Sequence, residues 1–251
     1  MLHDVTIIVP TRNEVHNISP FLASIPPHIP LIVVDASDDE TPRLVLAQRP
    51  HATQVLRRPS NVTEARQIGA EVATTTWLLF TDADITFAPD YFTQLPRYLG
   101  LGYGALYGAT FSLTEYQTYY RWFSRGQAMA DFWGIPAASG SNLLIRRDVF
   151  QAIGGFDLRL TCNEDSEIGW RVKRQGYWIR FVPQLVVYAH DHRRLVRQGQ
   201  IGKTLHSVLR CALLWSGLMP SSWRQHDWGY WSDRTPGRVS ETSEVWENGG
   251  V

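Results

Sequence analysis

Cysteine is nearly absent from this chain: Cys162 and Cys211 are the only two in 251 residues. They form no CxxC pair and are too few for a disulfide framework, so a reducing cytoplasm is the expected compartment. Net charge is missing too, with 24 basic side chains against 24 acidic ones. A general nucleic-acid binder carries a cationic excess, so no nucleic-acid partner is expected. No apolar run reaches the roughly 18 residues that a membrane span needs. The opening stretch, Met1 to Asp4 and then Val5-Thr6-Ile7-Ile8-Val9-Pro10, has no basic leader and its apolar run stops at a proline. The expectation is therefore no secretory signal. Neither the dinucleotide GxGxxG nor the GxxxxGK[ST] phosphate loop is found. Any phosphate charge would have to be met by a metal and by arginine. What the chain does have is apolar material for a core, 44% hydrophobic and 12% aromatic residues, at a length that fits one sizeable domain.

The first half alternates two patterns. Val5–Pro10, Leu31–Asp35, Gln54–Leu56 and Trp77–Phe80 are short β-branched or continuously apolar runs, which predicts strands buried on both faces. Between them Glu14–Ser24, Glu40–Gln48 and Val62–Thr74 predict helices. Asn61 and Glu64 have the spacing of a capping box for the third, and Ala65, Ile68, Gly69 and Val72 follow at helical spacing. Strand–helix–strand alternation implies a parallel sheet with helices on both faces, and ligands in such sheets sit beyond the carboxyl ends of the strands. Farther on, Ala105–Ser112, Gly140–Arg146, Tyr177–Val182 and Leu185–Ala189 predict strands. Glu115–Phe132 and, capped by Asn163, Glu164–Gln175 predict helices.

Several residues at those strand ends can carry chemistry. Asp82-Ala83-Asp84 follows the apolar strand 77–80, and two carboxylates one residue apart can address one hard cation. A solvated acidic turn has the same sequence. Asp35 closes the second strand, where an acidic residue can accept from a base or a ribose hydroxyl, or merely cap the next helix. Arg66 is a candidate for phosphate charge, or an ordinary helix arginine. Glu164-Asp165 opens a helix, favoured by the helix dipole, and can also supply a general base.

The ordered set is more specific than any one of these. Ile8-Val9-Pro10-Thr11-Arg12-Asn13-Glu14, Val33-Val34-Asp35, Ala65-Arg66-Gln67-Ile68-Gly69-Ala70 and Asp82-Ala83-Asp84 come first. Then follow Ser139-Gly140-Ser141-Asn142, Arg146-Arg147-Asp148-Val149-Phe150, Gly154-Gly155-Phe156-Asp157 and Glu164-Asp165, with Arg171 and Gly176 behind. From about residue 4 to 190 the chain resembles the family 2 glycosyltransferases. That resemblance implies a GT-A fold: an α/β, Rossmann-like, mixed and mostly parallel sheet flanked by helices. It would span residues 1–192, followed by a basic amphipathic helical extension over 193–219 and a polar, mobile tail over 220–251.

The resemblance also implies roles. Pro10, Glu14 and Asp35 fall at the nucleotide pocket, Asp35 facing the base, and Arg66 near the nucleotide. Asp82 and Asp84 match the DxD that holds Mg²⁺ or Mn²⁺ against the diphosphate, with His190 as a looser third ligand for which His192 competes. Asp165 matches the catalytic base. Gly140, Ser141 and Glu164 fall on the acceptor side. The implied reaction is a metal-dependent, inverting transfer of one sugar from a nucleotide-sugar, a UDP-sugar before a GDP-sugar, to a hydroxyl. Two departures stand out. The second strand ends Asp35-Ala36-Ser37 where the family often has two acidic residues, which leaves the donor open. The QxxRW motif of processive synthases is missing, the nearest string being Gln225-His226-Asp227-Trp228.

Competing functions are a sugar-1-phosphate nucleotidyltransferase, which would need a GxGTR-type loop where Pro10–Glu14 stands, and a noncatalytic nucleotide-sugar-binding or scaffold protein. The latter is expected to lose Asp82, Asp84 or Asp165. Arg193, Arg194, Arg197, Lys203 and Arg210 form a basic run in which Ile201, Leu205, Val208, Leu209, Ala212 and Leu213 recur at helical spacing. Such a helix either lies on an anionic bilayer, making a peripheral membrane contact and a lipid-linked acceptor attractive, or packs its apolar face on the sheet. The aromatics Tyr116, Tyr119, Tyr120, Trp122, Phe123, Phe132 and Trp133 have the same ambiguity: acceptor groove, membrane interface or core.

Overall fold

A computed structural model describes residues 2–190, 195–196 and 199–226, together with the backbone pairing of 245–246. The strands are β1 (Val5–Thr11), β2 (Leu31–Asp35), β3 (Thr53–Arg57), β4 (Trp77–Phe80), β5 (Ile85–Phe87), β6 (Ala105–Phe111), β7 (Leu143–Arg146), β8 (Ile179–Ala189) and β9 (Val245–Trp246). The helices are α1 (Ile18–Ala23), α2 (Thr41–Gln48), α3 (Val62–Val72), α4 (Tyr91–Gln94), α5 (Pro96–Leu99), α6 (Gln117–Phe132), α7 (Arg147–Ala152), α8 (Glu164–Arg174), α9 (Gln200–Trp215) and α10 (Ser221–Arg224). One sheet runs β5-β8-β6-β7-β4-β1-β2-β3-β9. In it β1, β2, β3, β4, β6 and β8 point one way, and β5, β7 and β9 the other. The sheet is thus mixed and mostly parallel, as expected.

β1, β2 and β4 are buried along their whole length, which is why they are continuously apolar. Strand alternation divides the core in two. Val5, Ile7 and Val9 face one cluster with Phe21, Val33 and Leu79, while Ile8 faces the other with Val34, Leu78 and Phe80. Helix α3 lies on the second face, held at its start by the expected capping box: Glu64 N–H donates to the Asn61 side chain, whose backbone N–H donates to Glu64.

Several expectations need correction. The first helix begins only at Ile18, because Asn13 adopts a positive φ and Glu14 sits in the turn before it. The strand expected from Gly140 starts at Leu143, since the Asn142 N–H closes a turn onto the Ser139 carbonyl at 3.0 Å. Asn163 precedes α8 with a left-handed backbone and makes no side-chain cap. The two late strands are one strand, β8, with a register shift opposite Gly108 and Ala109. The offset loop contains Pro183, which has no N–H for the ladder. Strand β5 and helices α4, α5 and α7 were not foreseen. Residues 191–194 and 197–198 lie outside the described residues, and with them His192, Arg193, Arg194, Arg197 and the boundary expected at 192. Of the tail, 227–244 and 247–251 also lie outside. Within it, the carbonyl of Arg224, the last residue of α10, accepts from the Thr161 N–H at 3.0 Å, just before α8. The pair Val245–Trp246 adds to the β3 edge.

Candidate active site

The segments after β1, β2 and β4 meet at one rim of the sheet with the turn 139–142. The turn arrives there because β7 runs antiparallel to β4, with Leu143 opposite Phe80. Asp35 is sealed into this rim. Its Oδ1 accepts from the Thr11 hydroxyl at 2.7 Å and the Ser37 hydroxyl at 2.6 Å, its Oδ2 from the Ser37 N–H at 3.2 Å, and Arg57 Nε stands 3.6 Å away. Burial pushes its pKa up, while these bonds and Arg57 pull it down. Pro10 pairs with Val34 inside the sheet. Glu14 is buried beside it and accepts from Asn17 Nδ2 at 2.7 Å, and its backbone N–H donates to the Thr41 hydroxyl.

The centre of the site is Arg66, carried by the buried face of α3. One arm of its guanidinium donates to Asp82 Oδ1 at 2.6 Å and the other to Glu164 Oε1. Arg66 and Glu164 are each only 2% exposed, so this is a buried ion pair rather than a surface one. Glu164 Oε2 has no hydrogen-bond partner. Burial, with Asp165 and Asp82 nearby, lifts the Glu164 pKa to about 7 against the pull of Arg66. Gly140 covers the guanidinium. Its N–H donates to Asp165 Oδ2 at 2.7 Å, and the Ser166 N–H donates to Oδ1, also at 2.7 Å. Two backbone donors thereby aim the Asp165 carboxylate in the first turn of α8. The Ser141 carbonyl accepts from the Thr81 hydroxyl at 2.9 Å, tying the turn to the end of β4.

Asp84 and His190 are brought together by strand pairing: Ile85 stands opposite Ala189, and the His190 N–H donates to the Asp84 carbonyl at 2.9 Å. The His190 ring lies against the Thr86 hydroxyl, Nε2 to Oγ1 2.8 Å. Among the described residues no three His, Cys, Asp or Glu side chains gather as a ready-made cation cluster. The Asp82 and Asp84 carboxylates suit a hard divalent ion by donor type, and the His190 imidazole is a softer nitrogen donor. A cation there would draw the rest of its shell from substrate oxygens and water, the usual arrangement for magnesium.

Two further buried groups, Asn142 and Arg210, stand outside the expected site residues. Asn142 donates to the Leu185 carbonyl at 2.9 Å, pinning the β8 irregularity, and accepts from the Tyr91 hydroxyl at 2.7 Å. Its partners lie 43 and 51 residues away, so no local pattern marks it. Arg210 of α9 reaches the Cys162 sulfur beneath the loop that leads into α8, and burial pushes the Cys162 thiol up to about 12. The Thr11 and Ser37 clamp did have a signal, since Asp35-x-Ser37 is Asx-turn spacing.

The sequence profile described as glycosyl transferase family 2 matches residues 6–154. The pre-mycofactocin glycosyltransferase of Mycobacterium tuberculosis is 26% identical over 219 residues, covering 77% of this chain and 44% of that protein. The chain therefore spans less than half the length of this relative. The structure is similar to that of the mannosyltransferase PcManGT from Pyrobaculum calidifontis in complex with GDP-Man and Mn²⁺. That match has a TM-score of 0.62 at 26% identity and covers 76% of this chain and 58% of that one. TarS of S. aureus, residues 1–349 with UDP-GlcNAc, shares the fold at a TM-score of 0.60 and 16% identity, over 75% of this chain and 58% of its own.

Proposed function

Because the chain belongs to glycosyl transferase family 2, we propose that it transfers a single sugar from a nucleotide-sugar to a hydroxyl acceptor in one inverting displacement. The observation that carries this reading is the Arg66 bridge. One guanidinium holds Asp82, from the acidic pair after β4, and Glu164, the neighbour of Asp165. Donor-side and base-side carboxylates thus surround one centre.

Each residue then has a task. Asp82 and Asp84, with His190 next to Asp84 in the sheet, would hold Mg²⁺ or Mn²⁺ at the donor diphosphate. When bound, the ion offsets charge developing on the departing nucleoside diphosphate. Pro10, Glu14 and Asp35 shape the floor under the nucleoside, and the clamp on Asp35 fixes that floor rather than leaving it adaptable. Asp165 takes the proton of the acceptor hydroxyl as its oxygen attacks the anomeric carbon from the face opposite the leaving diphosphate. Gly140 and Ser166 keep its carboxylate aimed. Arg66 fixes Asp82 and offsets charge on Glu164, which with Gly140 and Ser141 borders the acceptor. A lipid-linked hydroxyl is one acceptor of the required class.

The donor stays within two classes. UDP-sugars lead on family expectation, and GDP-sugars gain weight because the 26%-identical mannosyltransferase was solved with GDP-Man and Mn²⁺. A noncatalytic binding protein is the second reading, and the retention of Asp82, Asp84 and Asp165 counts against it. Calorimetric titration with UDP and GDP, each with and without Mn²⁺, tests the proposal. Metal-dependent binding of one nucleotide is expected. Binding of neither by the folded chain would overturn it.

A further inference from the structure

Helix α9 is packed the opposite way round from an ordinary amphipathic helix. Arg210 is its buried residue, turned onto Cys162, and Cys211 beside it accepts from Asn163 Nδ2 at 3.4 Å. Lys203, on the same side, lies 5.1 Å from the Tyr119 ring centroid of α6. The apolar stripe faces outward. Ile201, Leu205, Val208 and Trp215 are 77%, 64%, 61% and 69% exposed, and they recur at helical spacing opposite Arg210. Helix α6 does likewise: Tyr120, Ser124 and Gln127 point in, whereas Trp122, Met129 and Trp133 lie on its far side, each about two-thirds exposed or more. Most of the aromatics in this region are therefore surface, not core. The contact between Lys203 and Tyr119 joins the two helices.

Exposed apolar stripes of this size mark an interaction surface. The charge around them indicates what covers it. From residue 192 to 226 the sequence has no aspartate or glutamate against six basic residues, of which Arg210 and Lys203 lie on the inner side of α9. Arg121 and Arg125 add positive charge on α6, with Arg125 stacked 5.2 Å over Trp122. Among the described residues no helix is long and apolar enough to cross a membrane. We propose that the outer faces of α6 and α9 dock this protein flat on an anionic lipid bilayer, apolar side chains in the interface and basic groups at the headgroups. Tryptophan on both helices fits that boundary, where an amphipathic ring has one side apolar and one wet. The inner side of α9 touches the loop before Asp165, so a docked helix holds that loop close to the membrane. The docking itself does not depend on the transferase reading.

Flotation with phosphatidylcholine vesicles, with and without phosphatidylglycerol, tests the surface. The protein is expected to float with the anionic vesicles and to be released in part by salt. The double variant Leu205→Glu and Val208→Glu should bind about tenfold or more weakly. Both positions are exposed, so its circular dichroism and nucleotide binding should match the parent. Failure of the parent to float with anionic vesicles overturns the proposal, and equal flotation on pure phosphatidylcholine overturns the anionic preference. A dimer in light scattering that this double variant splits would assign the face to a second copy of the chain instead.

Discussion

Arg66 occupies the space that a side chain at position 140 would need: a Cβ added to Gly140 would stand 2.6 Å from Nη2 and 2.7 Å from Cζ. The glycine is required for that close approach, since the guanidinium is pinned on both arms and has nowhere to retreat. Gly140→Ala should therefore push Arg66 off Asp82 and turn the Gly140 N–H away from Asp165. Misplacing a reacting group by about 1 Å costs on the order of 100-fold in rate. We expect kcat to fall by about that factor, with far-ultraviolet circular dichroism unchanged. Near-parental kcat would show that the bridge does not position the site.

Removing the guanidinium itself strands Glu164. Breaking a buried ion pair costs about 3–5 kcal/mol when the remaining charge stays ionised. Glu164 can escape by taking up a proton, so Arg66→Met should be destabilised by less at acid pH than at neutral pH. The double change Arg66→Met with Glu164→Leu should recover most of the loss, because neither charge then remains buried. Urea unfolding of the parent and the two variants at two pH values measures this.

These two residues also show where sequence reading stops. Arg66 and Glu164 were each recognisable as site candidates, yet they lie 98 positions apart and nothing local joins them. By contrast β1, β2, β4 and α3 were legible because the information is local: apolar runs, helical spacing and the Asn61–Glu64 capping box. Strand β5 and helix α7 have too few residues to establish a period. The β8 irregularity is held by Asn142, from the turn that precedes β7. For α9 the amphipathic pattern was legible, but a pattern does not state which face is inward. Only the position of Arg210 does.

Glu164 sets a pH dependence whose sign can be worked out. Its pKa rises from about 4.5 in the unfolded chain to about 7 in the folded protein. Between those values the folded form holds the extra proton, so stability falls as pH rises. The contribution is greatest below the lower value, is lost across the window and levels off above the upper one. Glu164→Gln has no such proton to lose. The difference in unfolding free energy between parent and variant should therefore shift against the parent as pH rises through the window. The raised pKa of Asp35 acts in the same direction, but it is present in both proteins and cancels in the difference. A flat difference would contradict the assignment.

The two acidic pairs should separate binding from chemistry. In the proposed arrangement Asp84 belongs to the donor side, so Asp84→Asn should weaken nucleotide binding in Mn²⁺ toward the level seen without metal. Asp165 touches neither diphosphate nor ion in the proposed arrangement. In that arrangement its carboxylate faces the acceptor, and the Gly140 and Ser166 amides hold it. Asp165→Asn keeps the size but loses the basicity and one of the two backbone hydrogen bonds, and it should lower kcat by about 10²–10⁴-fold, the range general base catalysis supplies. Metal-dependent nucleotide affinity should stay at the parental value. Calorimetry and a sugar-transfer assay on the same two preparations read both quantities. If Asp165→Asn instead loses nucleotide affinity while Asp84→Asn keeps it, the roles of the two carboxylates are exchanged, and the direction of attack proposed here is wrong.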